Sequence, residues 1–429
     1  MIHTNAKNEI TLEIASLSHG PYGIGRTDGK AVMVPKTAPG DKVAVRIVES
    51  KPCYAVGELL RVIEPSALRQ APPCPFVNEC GGCPWQHIRY DAQLKAKRQN
   101  VESALRRIGR LDGFELRPII PPPQEYRYRR RIRLQCDSLG KLGYFRAASH
   151  ELIEIDDCLI ADEKLTGCIV PLRRWVRELQ TAMEFVEIVT GDEPDQIVVV
   201  GKSGGEFFAR DVMACERLRD EAGAIGGLIL HGPNWRRTWG RTAISLIVED
   251  DLCLRVDADA FTQVNPAANR KMVSELLAAA EFQSQDRVLE LYCGAGNFTL
   301  PIARRVSEVV AVEGSRPSLQ NGKLNAQRNG LENIRWLCAA VPAALDKLKQ
   351  RREKFSKLIL DPPRAGAKGL VAELAWFGAE RILYVSCDPA TLARDLGALG
   401  KHGYKLRMAQ PIDLFPHSFH VEVLAVMTR

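Results

Sequence analysis

No run of apolar residues in this 429-residue chain approaches the roughly 18–20 that a helix needs to cross a bilayer, so a membrane-spanning helix is excluded. The opening stretch, MIHTNAKNEI, has no apolar core of the kind an export signal carries, and a cytoplasmic location is expected. Internal repeats, low-complexity tracts and long linkers are missing too, which excludes solenoids and largely disordered chains. Neither sign of charge dominates. Lys and Arg number 59 against 52 Asp and Glu, a formal net charge of +7, which alone points only weakly to a polyanionic partner. What the chain does have is length for two or three domains, 45% hydrophobic residues and 12 cysteines. Thiols in the cytosol stay reduced, so clustered cysteines point to metal or catalysis before disulfides.

The patterning predicts a multidomain α/β protein in three parts. In residues 1–62, Ile10, Leu12 and Ile14 alternate with polar residues, as do Val43, Val45 and Ile47. Turn signals at His19-Gly20-Pro21, Asp28-Gly29 and Ala38-Pro39-Gly40-Asp41 separate them, which reads as a small all-β barrel. The stretch IEPSALRQAPP then serves as a linker. Residues 63–255 form a central domain. A cysteine cluster at 74–83 opens it, and Asp91 is expected to cap a helix with Leu94, Val101, Leu105 and Ile108 on one face. The remainder is strand-rich (RIRLQC, HELIEI, QIVVVG, GGLILHG, AISLIVE). In residues 256–429 helical stretches alternate with the short apolar strands RVLELYC, EVVAVEG, KLILDPP, RILYVSC and VEVLAVM. That rhythm predicts a Rossmann-like, doubly wound parallel sheet.

Open α/β sheets bind ligands beyond the carboxyl ends of their strands, and the chemistry-bearing residues fall there. Gly294 and Gly296 of LELYCGAGNFTL let the backbone pass close to a ligand. Glu313 closes the next strand, where an acid can accept hydrogen bonds from ribose hydroxyls. The third glycine of a dinucleotide fingerprint is missing and Asn297 follows instead. A nucleoside without a pyrophosphate fits better, which favours S-adenosylmethionine over NAD. Asp361 opens a loop stiffened by Pro362 and Pro363. Cys387 ends a strand and precedes the helix that begins near Thr391-Leu-Ala-Arg394, whose N-terminus is expected to stabilise a thiolate. Glu422 lies on an otherwise apolar strand, where an unpaired carboxylate is costly and its pKa should rise; it is the candidate general base.

A second set of residues is suited to a metal. Cys74-x5-Cys80-x2-Cys83 is compact, with Gly81 and Gly82 free to curl, and Cys158 is the fourth ligand chosen. Spacing alone leaves a closed Cys₄ zinc site and an iron–sulfur cluster equally open. Close by, Tyr126-Arg-Tyr-Arg-Arg-Arg-Ile-Arg133 mixes basic and aromatic residues and is expected to hold phosphates and stack bases.

LELYCGAGNFTL, DPPRAG, VSCDPATLARDL and FPHSFHVE, with Ala260-Phe-Thr-Gln-Val-Asn265 upstream, together resemble the RNA uracil-5-methyltransferases over nearly the whole chain. The resemblance implies Cys387 as nucleophile and Glu422 as proton acceptor, with methyl-donor contacts from Gln263, Tyr292, Asn297, Glu313 and Asp361. Uracil C5 is a poor nucleophile. A thiolate added at C6 would place electron density on C5, which would take the methyl group; a base would then remove the C5 proton and the thiolate would leave. The N-terminal barrel resembles a TRAM domain, an RNA-binding module. The family's ribosomal RNA branch carries a [4Fe–4S] cluster at similar spacing, which favours that centre over zinc for Cys74, Cys80, Cys83 and Cys158. Barrel and cluster together point to 23S rRNA before tRNA as substrate, acting on a flipped uracil, and to a monomer. One departure is Ala340, where some members carry an asparagine able to contact adenine. A radical methylthiotransferase would need a Cys-x3-Cys-x2-Cys triad, which residues 74–83 lack. An RNA cytosine-C5 enzyme would usually place a cysteine in the loop where DPPR has none.

Overall fold

The structure, a computed structural model, describes residues 9–193, 196–221 and 223–429; the first eight residues, assigned above to the barrel, lie outside these. Five strands, Glu9–Leu17, Tyr22–Thr27, Lys30–Pro35, Lys42–Ser50 and Tyr54–Glu64, close on themselves, the first pairing with both the second and the fourth. Alternation does the work: Leu12, Ile14, Val32, Val34, Val43 and Val45 fill the interior, while Glu13 and Lys42 face outward. Asp28 and Gly29 both take positive φ (49° and 77°), as a two-residue hairpin turn demands.

The central body is a seven-stranded sheet. Its strands Met183–Thr190, Ile197–Ser203 and Ile225–Gly232 are almost wholly buried. The helix Ile169–Glu178 lays Ile169, Leu172, Trp175 and Val176 into the same core as Ala214, Cys215 and Leu218 of the helix Asp211–Glu221. A separate hairpin, Ala243–Glu249 with Leu252–Asp257, packs Ile244 and Val256 with Val198, Val200, Ile229 and Leu300, so one small core joins the hairpin to both sheets.

The C-terminal sheet has eight strands, in the order Ile334–Cys338, Glu308–Glu313, Arg287–Leu291, Lys357–Leu360, Arg381–Ser386, Glu422–Thr428, Lys405–Ile412 and Glu115–Leu116. The first five are parallel. Glu422–Thr428 then inserts antiparallel between two strands that precede it in sequence. The order reverses between Arg287–Leu291 and Lys357–Leu360, the switch point where such sheets bind ligands.

Three features differ from expectation. The strand Glu422–Thr428, read from VEVLAVM as part of a parallel sheet, runs antiparallel to both its neighbours. The helix Tyr90–Arg107 places Val101 and Leu105 in one core with Ala393 and Leu396 of the helix Pro389–Gly400, and Glu115–Leu116 pairs with Met408 and Ala409. Residues 90–116 therefore pack with the C-terminal sheet, although they lie inside the span read as central. Periodicity shows which face is apolar but not what covers it. Asp91 is not the cap: Arg89 occupies that position without a side-chain bond, and Asp91 sits in the first turn, 2.9 Å from Arg89 Nη2. Among the described residues no helix is long and apolar enough to cross a membrane.

Candidate active site

Strand register brings the candidate side chains together. Ser386 is paired with Val423 across an antiparallel ladder, so one step further Cys387 lies opposite Glu422. Leu360 is paired with Tyr384 and with Leu291, which sets Asp361 and Tyr292 at the same sheet end. The DPPRAG loop is clamped from behind by the helix Pro389–Gly400. Asp395 accepts hydrogen bonds from the Ala367 amide (2.7 Å) and the Tyr384 hydroxyl (2.8 Å). Arg394 donates to the Ala365 carbonyl (2.8 Å), and Thr391 Oγ1 to that of Arg364 (3.1 Å).

Burial sets the proton inventory of this end of the sheet. It pushes Glu422 up to about 8, with Asp361 adding to the shift and Arg364 opposing it. Burial alone takes Asp361 to about 7. The Cys387 thiol rises to about 11, first through burial and then through Glu422. The expected thiolate at a helix N-terminus is thus corrected: Asp388 caps that helix, accepting from the Thr391 amide at 2.8 Å, and Cys387 is held as a thiol.

A cavity of about 80 Å³ opens at the switch point, lined by Gln263, Tyr292, Asn297, Asp361, Gly294 and Asn269 among others. Asn297 and Asn269 exchange reciprocal amide bonds of 2.8 and 3.0 Å. Asn265 caps the helix Pro266–Ala280 and donates to the Leu414 carbonyl (3.1 Å). Gly294 has φ 57°, and a side chain there would meet open space, so the loop leaves room for a ligand at this point. Tyr292 also adopts a left-handed φ of 65°, strain of the kind that gathers at binding sites. Glu313 stands beside the cavity. Its two oxygens accept the amides of Gly294 (3.0 Å) and Ser315 (2.7 Å), which leaves a lone pair on each.

Cys74, Cys80, Cys83 and Cys158 line one cavity of about 290 Å³ together with Phe76, Tyr144 and Arg129. Among the described residues no three Cys, His, Asp or Glu side chains converge closely enough to hold a single metal ion. A tetrahedral zinc centre needs its sulfurs within about 4 Å of each other, given Zn–S bonds of about 2.3 Å. The four thiols thus share one cavity without converging on a single point.

The arginine-rich segment is corrected. Arg127 pairs with Asp157 (2.7 Å), Arg130 with Asp192 (2.9 Å), and Arg131 and Arg133 share Glu187 (3.1 and 2.9 Å). Its aromatics are used internally as well: Tyr126 stacks on His417 at 4.4 Å and the Tyr128 hydroxyl donates to the Pro416 carbonyl. The acidic partners lie 30 to 62 residues away in sequence, beyond the reach of local pattern. Arg131 also donates to the carbonyls of Ala258 and Ala260 (2.5 and 2.7 Å), holding the approach to Gln263.

Two features escaped the sequence reading. Glu290 lies on the strand leading into the glycine loop, fully buried and pushed up to about 8 by burial, with one carboxyl oxygen unpartnered. Its signal was the one that marked Glu422, an acid within an apolar strand. The second is a buried network behind FPHSFHVE. Lys97 pairs with Asp413 at 2.7 Å with neither side chain exposed, Tyr90 donates to the same carboxylate, and Gln93 accepts the His417 amide. Lys97 and Gln93 sit on the helix Tyr90–Arg107, more than 300 residues upstream.

A doubly wound sheet with an antiparallel inserted strand, a glycine loop at its switch point and a TRAM-type barrel in front define an S-adenosylmethionine-dependent methyltransferase built for RNA. The family profile described as tRNA (Uracil-5-)-methyltransferase matches residues 243–429, and that of the TRAM domain matches residues 7–60. A 23S rRNA (uracil(1939)-C(5))-methyltransferase, RlmD, of Hahella chejuensis is 34% identical over 441 residues, covering 99% of this chain and 98% of that one. The enzyme of that name from Aeromonas hydrophila is 34% identical, covering 98% and 96%. An RNA methyltransferase of Clostridium acetobutylicum described as uncharacterized is 30% identical over the whole chain and 99% of its own length. The crystal structure of Pyrococcus abyssi tRNA (uracil-54, C5)-methyltransferase with S-adenosyl-L-homocysteine shares the fold, with a TM-score of 0.75 at 23% identity over 98% of this chain and all of that one. The chain belongs to the RNA uracil-5-methyltransferase family.

Proposed function

We propose that this protein methylates C5 of a uridine in 23S rRNA, the one equivalent to position 1939 of its relatives, through a covalent bond between Cys387 Sγ and uracil C6. The observation that carries the reading is the register that sets Cys387 against Glu422, beside the cavity holding Asp361. The residues of that cavity and the open space at Gly294 suit S-adenosylmethionine, which when bound supplies a methyl group on a positively charged sulfur. Gln263, Tyr292, Asn297 and Asp361 would contact it, and Glu313 would use its remaining lone pairs on the ribose. Buried acids facing a sulfonium shift toward their ionised forms, because the added charge offsets the cost of desolvation. Cys387 releases its proton to solvent and adds to C6 as the thiolate; C5 then accepts the methyl group, leaving the donor's sulfur a neutral thioether. Glu422, as carboxylate, takes the C5 proton, and the C6–S bond breaks to restore the ring and release the thiolate, which solvent reprotonates.

We further assign Cys74, Cys80, Cys83 and Cys158 to a [4Fe–4S] cluster with a structural role, and read the protein as a cytoplasmic monomer whose barrel grips RNA. The four thiols share one cavity, which supports the assignment. Iron and sulfide analysis of anaerobically purified protein checks it. If the Cys80→Ala variant folds and binds RNA as the wild type does, a structural role is refuted.

The test of the main reading is transfer of label from methyl-labelled S-adenosylmethionine, followed by mapping of 5-methyluridine in rRNA and tRNA from cells with and without the protein. Label on 23S uridine C5 is expected. Label confined to tRNA would move the substrate, and label on a ring nitrogen or a ribose oxygen would sink the mechanism.

A further inference from the structure

Among the described residues, Arg129 is the one arginine of its segment without an acidic partner. Arg127, Arg130, Arg131 and Arg133 each pair with a carboxylate. Arg129 lines the cysteine cavity, and burial is the largest influence on it. Its Nε has no hydrogen-bond partner. The groups that face it are Cys83, Tyr128 and Tyr144, with no carboxylate among them. On its other side the guanidinium lies 5.8 Å from the Phe415 ring centroid and faces His420, both in the FPHSFHVE loop. A desolvated cation without a counter-charge is among the costlier things a fold can hold. The surrounding backbone is fixed all the same. The Arg129 amide donates to the Ile160 carbonyl (2.8 Å) and its carbonyl accepts from the Asp162 amide (2.9 Å), locking this segment to the loop that presents Cys158.

Four thiolates outweigh the positive charge of either a cubane core or a zinc ion, so a centre bound at these cysteines is a net anion. We infer that Arg129 is the internal counter-cation of that centre, and that its seat on Phe415 ties the centre's presence to the shape of the catalytic loop. The inference rests on the assignment of the four cysteines as metal ligands. It makes Arg129 a positioning residue, one that touches neither uracil nor methyl donor. With the centre in place the guanidinium is neutralised. Without it the charge is stranded and pulls at the segment that carries both Cys158's support and the floor of the FPHSFHVE loop.

The test compares wild type, Arg129→Met and Arg129→Lys, each loaded anaerobically and each again after removal of the metal by a chelator. Removing a stranded charge stabilises the metal-free form, whereas removing a counter-charge weakens the loaded one. The metal-free Arg129→Met protein should therefore melt above metal-free wild type, while loaded Arg129→Met should melt below loaded wild type and release metal several-fold faster. Arg129→Lys should follow wild type in both states. For an iron–sulfur centre the reduction potential of Arg129→Met should move to more negative values, because a nearby positive charge favours the electron-rich state. Equal destabilisation of both forms by Arg129→Met, or an unchanged potential and release rate, overturns the role of Arg129 alone. Wild type that holds neither iron nor zinc overturns the metal assignment and this inference with it.

Discussion

Glu290, Asp361 and Glu422 hold protons in the folded protein, at about 8, 7 and 8, that the unfolded chain releases near its ordinary carboxyl values of 4.5, 3.8 and 4.5. Above those ordinary values the native state binds more protons, so stability falls as pH rises through the window up to about 8. Protein free of methyl donor should therefore melt at a lower temperature at pH 8 than at pH 6, and a melting point that rises over this range would contradict the burial of these acids. The same acids imply that S-adenosylmethionine, a cation at sulfur, gains affinity over S-adenosylhomocysteine as pH rises. Calorimetry at both pH values should show the ratio of their affinities increasing several-fold, and Asp361→Asn should flatten it. At the proposed catalytic pair, Cys387→Ala should lower turnover by at least about 10³-fold while still binding donor. Glu422→Gln should trap protein on RNA as a band surviving a denaturing gel; a variant that turns over with no adduct would remove Glu422 from the role of base. That Cys387, Glu422 and Asp361 share one end of the sheet was legible because each stands at the end of an apolar strand. The protonation state of Cys387 was not, because it depends on what surrounds the sulfur.

Between residue and domain stands the helix Pro389–Gly400, which holds the DPPRAG loop through Asp395 and Arg394. Asp395→Ala removes the acceptor of two buried donors, the Ala367 amide and the Tyr384 hydroxyl, and should cost about 3 kcal/mol of stability. Its effect on activity should exceed that of Arg394→Ala, whose side chain is partly exposed. Chemical denaturation with steady-state kinetics on both variants checks the order. Helix and strand identity in this domain followed from periodicity, since RVLELYC, KLILDPP and RILYVSC bury both faces. The pairing of Asp395 with a loop 28 residues earlier carries no local signature, and the arginine segment misled for the same reason.

Over the whole chain, the barrel, the switch-point glycines and the alternation of helices with short apolar strands were visible in the sequence, whereas the antiparallel insertion of Glu422–Thr428 and the seams between bodies were not. Leu17 and Ala38 of the barrel share a small core with Trp85, Ile88 and Ala92, and Phe419 of the catalytic loop packs on it. His19 from the barrel meets Phe419 edge-on at 5.8 Å. Lys97→Met would leave Asp413 charged and unpaired in the interior, at a cost of about 3–5 kcal/mol. Lys97→Met with Asp413→Leu should regain most of that stability, and a double variant no better than the single would show that the pair is not coupled. The helix Tyr90–Arg107 also has a consequence for anyone who would transplant this chemistry. The catalytic sheet is not a detachable cartridge: a fragment starting at residue 243 would leave Asp413 without its lysine, His417 without Gln93 and the outermost strand without a neighbour. A working graft must carry residues 85–120 with it, so any shuffling of this methyltransferase onto a new RNA-binding head has to cut upstream of that segment.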